Sequence, residues 1–146
     1  MRDFLSEVSV LFSYSKNLVL LLLRLLLAYG FATPALLKIN YLQDTIVWFE
    51  SLSIPFPTLI TYLVSGIETI GIVLLVLGLF LRYIAILLSC VMIGAILFVH
   101  AGNGFSVANN GIEIPLYYLI FLMIFISFGA GKYSLDRVLF KDGKDE

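Results

Sequence analysis

The chain is short of almost everything that soluble enzymes use. It has one cysteine, Cys90, and one histidine, His100, and only 13% of its 146 residues are charged. A single cysteine excludes an intrachain disulfide framework and any CxxC dithiol relay within the chain. A single histidine excludes paired-histidine ligation of haem within one copy, and no spacing of histidines and carboxylates suggests a metal site. With a net charge of −1 and a pI near 5.8, there is no basic surface for nucleic acid. What is present instead is apolar: 61% hydrophobic residues and a mean hydropathy of +1.05. Soluble domains hold roughly 45–50% apolar residues, so this composition calls for a lipid environment.

Four apolar runs, about 18–37, 58–80, 83–101 and 112–130, each approach the roughly 20 residues that a helix needs to cross a bilayer. The expected fold is all-α, a single antiparallel bundle of four transmembrane helices. Only Leu81 and Arg82 separate the second and third runs, which demands adjacent antiparallel helices. Arg2, Lys16, Arg82, Lys132, Arg137, Lys141 and Lys144 flank one side of such a bundle, and Lys38 stands alone on the other. The positive-inside rule then places both termini in the cytoplasm of a cell with the protein in its inner membrane. "FATPA" offers a signal-peptide reading of the first run, but the run is too long for one and Arg24 interrupts it.

Two shorter segments carry an interfacial pattern. Phe4, Leu5, Val8, Leu11 and Phe12 fall on one helical face, which predicts a short N-terminal helix in the headgroup layer. Leu42, Thr45, Ile46, Phe49 and Leu52 repeat the pattern in the first outer connection, with Trp48 beside them. This predicts an amphipathic cover ended by the two prolines of "IPFP". Ser134 is placed to cap a last short helix in the tail.

The informative residues are the charges inside the apolar runs, because an ionised group in hydrocarbon needs a partner, a solvated pocket or a proton. Glu68 lies near mid-depth in "VSGIETIGIVLLVLGLFLR", and Arg24 lies inside the first run. Counted from the ends of their runs, the two differ in height by only about 6 Å, so an Arg24–Glu68 pair is expected. Such a pair serves either as a register-fixing contact or as a proton-accepting, ligand-orienting carboxylate. Ser65, Glu68 and Gly71 share one face of the second run. His100 closes the third run and Glu113 opens the fourth, so they form a second candidate acid/base pair at the outer surface, with Tyr117 one turn beyond Glu113. The bland reading of that pair is simply polar helix ends at an interface. Cys90, among apolar neighbours, reads as an inert small hydrophobe.

The ordered set of an arginine in the first run, "ALLK" at its end, "SLSIPFP", "SGIETIGIVLLVLGLFLR", Val99-His100 and "GAGKYSLDRVL" resembles the DoxX family of small membrane proteins over about residues 20–139. The resemblance implies a four-helix membrane protein linked to redox work, including quinone-dependent sulfur oxidation and thiol or oxidative-stress enzymes. It carries over Arg24, Lys38, Glu68, His100, Glu113 and Asp136 as candidate polar positions. "ATPALLK" departs from the glycine-containing turn usual before that lysine.

The chain has no haem ligands, flavin motif or dithiol. Together with the resemblance this suggests a non-autonomous membrane subunit that binds a quinone or similar lipophilic ligand and partners an oxidoreductase. In that reading Glu68, oriented by Arg24, or the His100 and Glu113 pair exchanges protons with the ring. The alternatives are a scaffold that recruits another protein, with or without self-association, and a small proton-coupled transporter.

Overall fold

The computed structural model describes the backbone of residues 2–140 and the side chains of residues 15–140. Six α-helices make up the described chain: α1 (Arg2–Asn40), α2 (Leu42–Ser51), α3 (Pro57–Leu77), α4 (Leu81–Ala95), α5 (Glu113–Phe128) and α6 (Leu135–Leu139). A π-helical turn at Ile96–His100 extends α4, followed by two short 3₁₀ turns before α5. Three stretches are long and apolar enough to cross a membrane: Ser15–Asn40, Pro57–Leu77 and Leu81–Asn103. Glu113–Phe128 is equally apolar in character but shorter, at 16 residues.

The chemistry of each terminus sets the element boundaries. Pro57 opens α3 at its first position, where the missing N–H costs nothing. Gly78 closes α3 at φ +67°, with Gly78 N and Leu79 N both donating to Leu74 O at 2.8 and 3.1 Å. The connection to α4 is therefore Gly78–Phe80, and Leu81, expected in the loop, is fully buried in the first turn of α4. The start of α4 is capped from far away, because Asp136 accepts from Phe80 N at 2.7 Å and Leu81 N at 3.1 Å. Ser134 caps α6 as expected, its Oγ accepting from Arg137 N.

Residues 2–14 are not a separate helix. Their backbone continues into α1 without a break, and the side chains of the expected interfacial face lie outside the described residues. The amphipathic connection does form a helix of its own, α2, which buries Thr45 and Phe49 against its neighbours α3 and α1.

One apolar core joins the long helices. Leu20, Leu27, Ala28 and Phe31 of α1 meet Leu75 of α3, Leu81, Ile84, Ala85, Leu88 and Met92 of α4, and Leu122 and Phe125 of α5. The most extensive packing is α1 on α3 and α4 on α5. The outward faces are covered with exposed leucine, isoleucine, valine and aromatic side chains, as a helix surface in contact with acyl chains requires. Two ends of the molecule can be told apart. The lid end carries α2 and the 101–112 loop; the tail end carries the α3–α4 turn and α6.

Candidate functional site

Helix α3 presents one buried stripe: Thr61, Ser65, Glu68, Gly71 and Leu75. The spacing of three and four puts all five on the face turned toward the core. Glu68 lies about 16 Å along α3 from Pro57, at about 1.5 Å of rise per residue, and is 2% exposed. Its partner is Lys38 near the end of α1, whose Nζ donates to Oε2 at 2.8 Å and to Oε1 at 3.0 Å. Both carboxylate oxygens are thus engaged by one ammonium, a geometry that offsets the cost of burying either charge. The hydroxyls of Thr61 and Ser65, buried on the same stripe, have no hydrogen-bond partner among the described residues.

Arg24 is not that partner. It is 1% exposed and sits at the tail end, where Nη2 donates to Tyr133 O while Nε and Nη1 have no hydrogen-bond partner among the described residues. Asp136 is the carboxylate that acts on it electrostatically. Gly78 makes room for the guanidinium, since a Cβ there would lie 1.7 Å from Nη1. The expected pair fails because the Arg24 guanidinium is held at the tail end against Gly78, which is about 15 Å along α3 from Glu68. A helical side chain points back toward its N-terminus, which turns Arg24 away from Glu68.

His100 and Glu113 also take separate partners. The π-helical turn delivers His100 so that Nδ1 lies 2.8 Å from Asn110 O. Asn103 Nδ2 donates to the same carbonyl at 3.2 Å. Glu113 Oε2 accepts from Val107 N at 2.8 Å, and Tyr117 OH donates to Oε1 at 3.3 Å. Glu113 and Tyr117 therefore tie down the lid-end loop, and no hydrogen bond joins Glu113 to His100.

Two chambers meet at Glu68. The first, about 300 Å³, is lined by Glu68, His100, Asn110, Tyr118 and the apolar Phe31 and Met92, among others. The second, about 330 Å³, is almost wholly apolar; Lys38, Glu68 and Cys90 supply its polar groups, and Phe49, Ile54 and Pro55 from α2 and the following turn close it at the lid end. Volumes of this size suit a small ring system.

Tyr118 is the site residue that the sequence did not disclose. It stands in the middle of an apolar run, beside the more exposed Tyr117, and stacks at a tilt on Phe31 with ring centroids 5.4 Å apart. Its hydroxyl occupies a notch at Gly30, where a Cβ would lie 2.0 Å away. Pro34, inside α1, removes the N–H that would bond the Gly30 carbonyl, so helix and notch are loosened at one point.

An uncharacterized protein of Haemophilus influenzae is 36% identical over 130 residues, covering 84% of this chain and 83% of its own. A second from the same organism is 45% identical over 84 residues, or 54% of this chain and 62% of its own. "Putative oxidoreductase CatD" of Bacillus subtilis is 30% identical over 126 residues, 86% of this chain and 90% of its own. No solved structure matches the chain. The family model for DoxX matches residues 19–101, more than half of the chain, and the protein belongs to the DoxX family of membrane proteins.

Proposed function

We propose that this protein is the membrane subunit of an oxidoreductase assembly and holds a quinone or similar lipophilic ring beside the Lys38–Glu68 pair. The observation that carries the reading is that this buried pair forms part of the wall of an apolar chamber open to groups of ring size. A quinone, when bound, supplies the two-electron chemistry, with the electrons coming from a partner protein. Lys38 Nζ is placed to donate toward a carbonyl oxygen as negative charge grows on it. Glu68, released from part of its hold on Lys38, exchanges the proton. The printed name of the Bacillus relative supports a redox setting.

The same proposal has α1, α3, α4 and α5 all crossing the inner membrane, with both termini cytoplasmic. Its support is that Lys132 N, after α5, donates to Asn17 Oδ1, at the start of the first span, at 2.9 Å. Residues 17 and 132 therefore share one end, which calls for an even number of crossings. Lys16 Nζ, 4.9 Å from the Phe128 ring centroid, ties the same two helix ends together.

Trp48, the single tryptophan, stands on α2 beside Phe49, which lines the apolar chamber, and so reports on its contents. Purified protein titrated with a short-chain quinone should show saturable quenching of Trp48, weakened at least tenfold in Lys38→Met and Glu68→Gln. Quenching that never saturates and ignores both substitutions removes the quinone reading. If Glu68→Gln changes stability alone, the scaffold reading takes its place, favoured by the docking of α6 onto the α3–α4 turn.

A further inference from the structure

The two chambers at Glu68 differ in kind, and the difference assigns them different work. The apolar chamber is walled by Ile60, Leu63, Val64, Ile67 and Leu87, among others, and suits the ring. The other runs from Glu68 to the lid-end loop, where His100 and Asn110 line it.

His100 has a defined tautomer. Its Nδ1 contacts Asn110 O, and a carbonyl oxygen only accepts. Nδ1 therefore carries the hydrogen of the neutral ring, which leaves Nε2 as the basic nitrogen. The lid-end loop is built to keep this arrangement: Gly111 N donates to Ser106 O at 2.9 Å, Ile112 N to Gly104 O at 3.0 Å, and Glu113 fixes Val107.

Toward the tail end, by contrast, Glu68 is sealed. Gly71, one turn along α3, meets Leu88 so closely that a Cβ would lie 3.0 Å from its methyl groups. Beyond it Leu75, Leu81, Leu88, Leu122 and Phe125 are all fully buried. Ser89, beside Leu88 on α4, is buried too, but its hydroxyl hydrogen is spent on Ala85 O at 2.7 Å.

We infer that Glu68 exchanges its proton with solvent at the lid end alone, through the chamber that His100 lines, with His100 Nε2 as the carrier at its mouth. The step is a proton transfer from the Glu68 carboxyl, through water in the chamber, to His100 Nε2 and on to bulk water, and the reverse on uptake; no electrons move. The inference rests on Glu68 handling protons, as proposed above. The other ionisable groups around Glu68 are Lys38 from α1, Tyr118 from α5 and, on the side of the apolar chamber, Cys90 from α4. Around His100 they are Glu113 and Tyr117, which are engaged with each other. Arg24 and Asp136 belong to the tail end.

Full-length protein reconstituted in phosphatidylcholine vesicles tests this without any quinone. In a Cys90→Ser background, Met92→Cys, which lines the polar chamber and leaves the ion pair intact, should react with a small charged methanethiosulfonate reagent added on the lid side and not on the tail side. His100→Trp should slow that reaction at least tenfold, whereas Val91→Cys, facing the apolar chamber, should resist the charged reagent and accept a lipophilic maleimide. A light-released proton pulse from pyranine on the lid side should give two uptake phases. Glu68→Gln removes the slower one, and His100→Gln removes the faster and slows the other at least tenfold. Labelling of Met92→Cys from the tail side, no labelling from the lid side, or a Glu68 phase indifferent to His100→Gln each overturns the inference. If labelling and uptake behave as expected while Trp48 ignores the quinone, the proton route stands and the quinone reading alone falls.

Discussion

Lys38 and Glu68, thirty residues apart in the chain, are joined by both carboxylate oxygens of Glu68 to one ammonium, at 2.8 and 3.0 Å, in the core of a membrane protein. The contact ties α1 to α3 and sets side by side the only charged groups that line the apolar chamber among the described residues.

Removing one member of the pair leaves the other charge buried and unpaired. Glu68→Ala or Lys38→Ala should each destabilise the protein by about 3–5 kcal/mol. The Lys38→Met/Glu68→Leu double variant should cost far less than the sum of the single losses. Reversible unfolding in mixed micelles measures the cycle, and strictly additive losses would contradict the pairing.

Gly78 has a double constraint, a φ of +67° and the Arg24 guanidinium where a Cβ would stand. Gly78→Ala should therefore cost about 1–3 kcal/mol from backbone strain, with a further loss from displacing Arg24. In an Arg24→Ala background the second part disappears. Comparing the substitution in the two backgrounds separates steric displacement from strain.

Asp136 reaches across to the N–H groups of Phe80 and Leu81, which have no partner within the first turn of α4, acting as a cap that the α4 sequence does not supply itself. Asp136→Ala should cost about 0.5–2 kcal/mol. It should also release α6, so that trypsin cuts after Lys132 or Arg137 faster than in wild type. Asp136→Asn, which keeps one acceptor, should restore part of the protection.

Gly30 gives the Tyr118 hydroxyl its space. Gly30→Ala should push the ring into the polar chamber and slow charged-reagent labelling of Met92→Cys several-fold. Pairing it with Tyr118→Phe should recover only part of the rate, because the ring carbon Cζ would still lie 2.6 Å from the new methyl.

Much of this site was legible in the chain. Glu68 drew attention because it is the single acid in a long apolar run, and its face-sharing with Ser65 and Gly71 followed from helical spacing. His100 was legible as the only histidine. The partner of Glu68 was not legible: Arg24 was the expected one and Lys38 stood alone on the outer side, and hydropathy does not record which way a long side chain turns. Tyr118 and Asn110 gave no signal: one is an aromatic among aromatics, and the other acts through its backbone carbonyl. The lid-end pairing of His100 with Glu113 was drawn from proximity in sequence, and the loop's own hydrogen bonds claimed each of them first.

By itself, the sequence determined that this chain lives in lipid as a set of apolar helices and that a few charges must be accommodated among them, since both follow from transfer free energies that are local to each segment. Which charge meets which was decided only by tertiary structure. Arg24 is held at the tail end beneath α6 and the α3–α4 turn, while Lys38 reaches Glu68 from the other end of α1, and both placements depend on packing between helices that lie far apart in the chain.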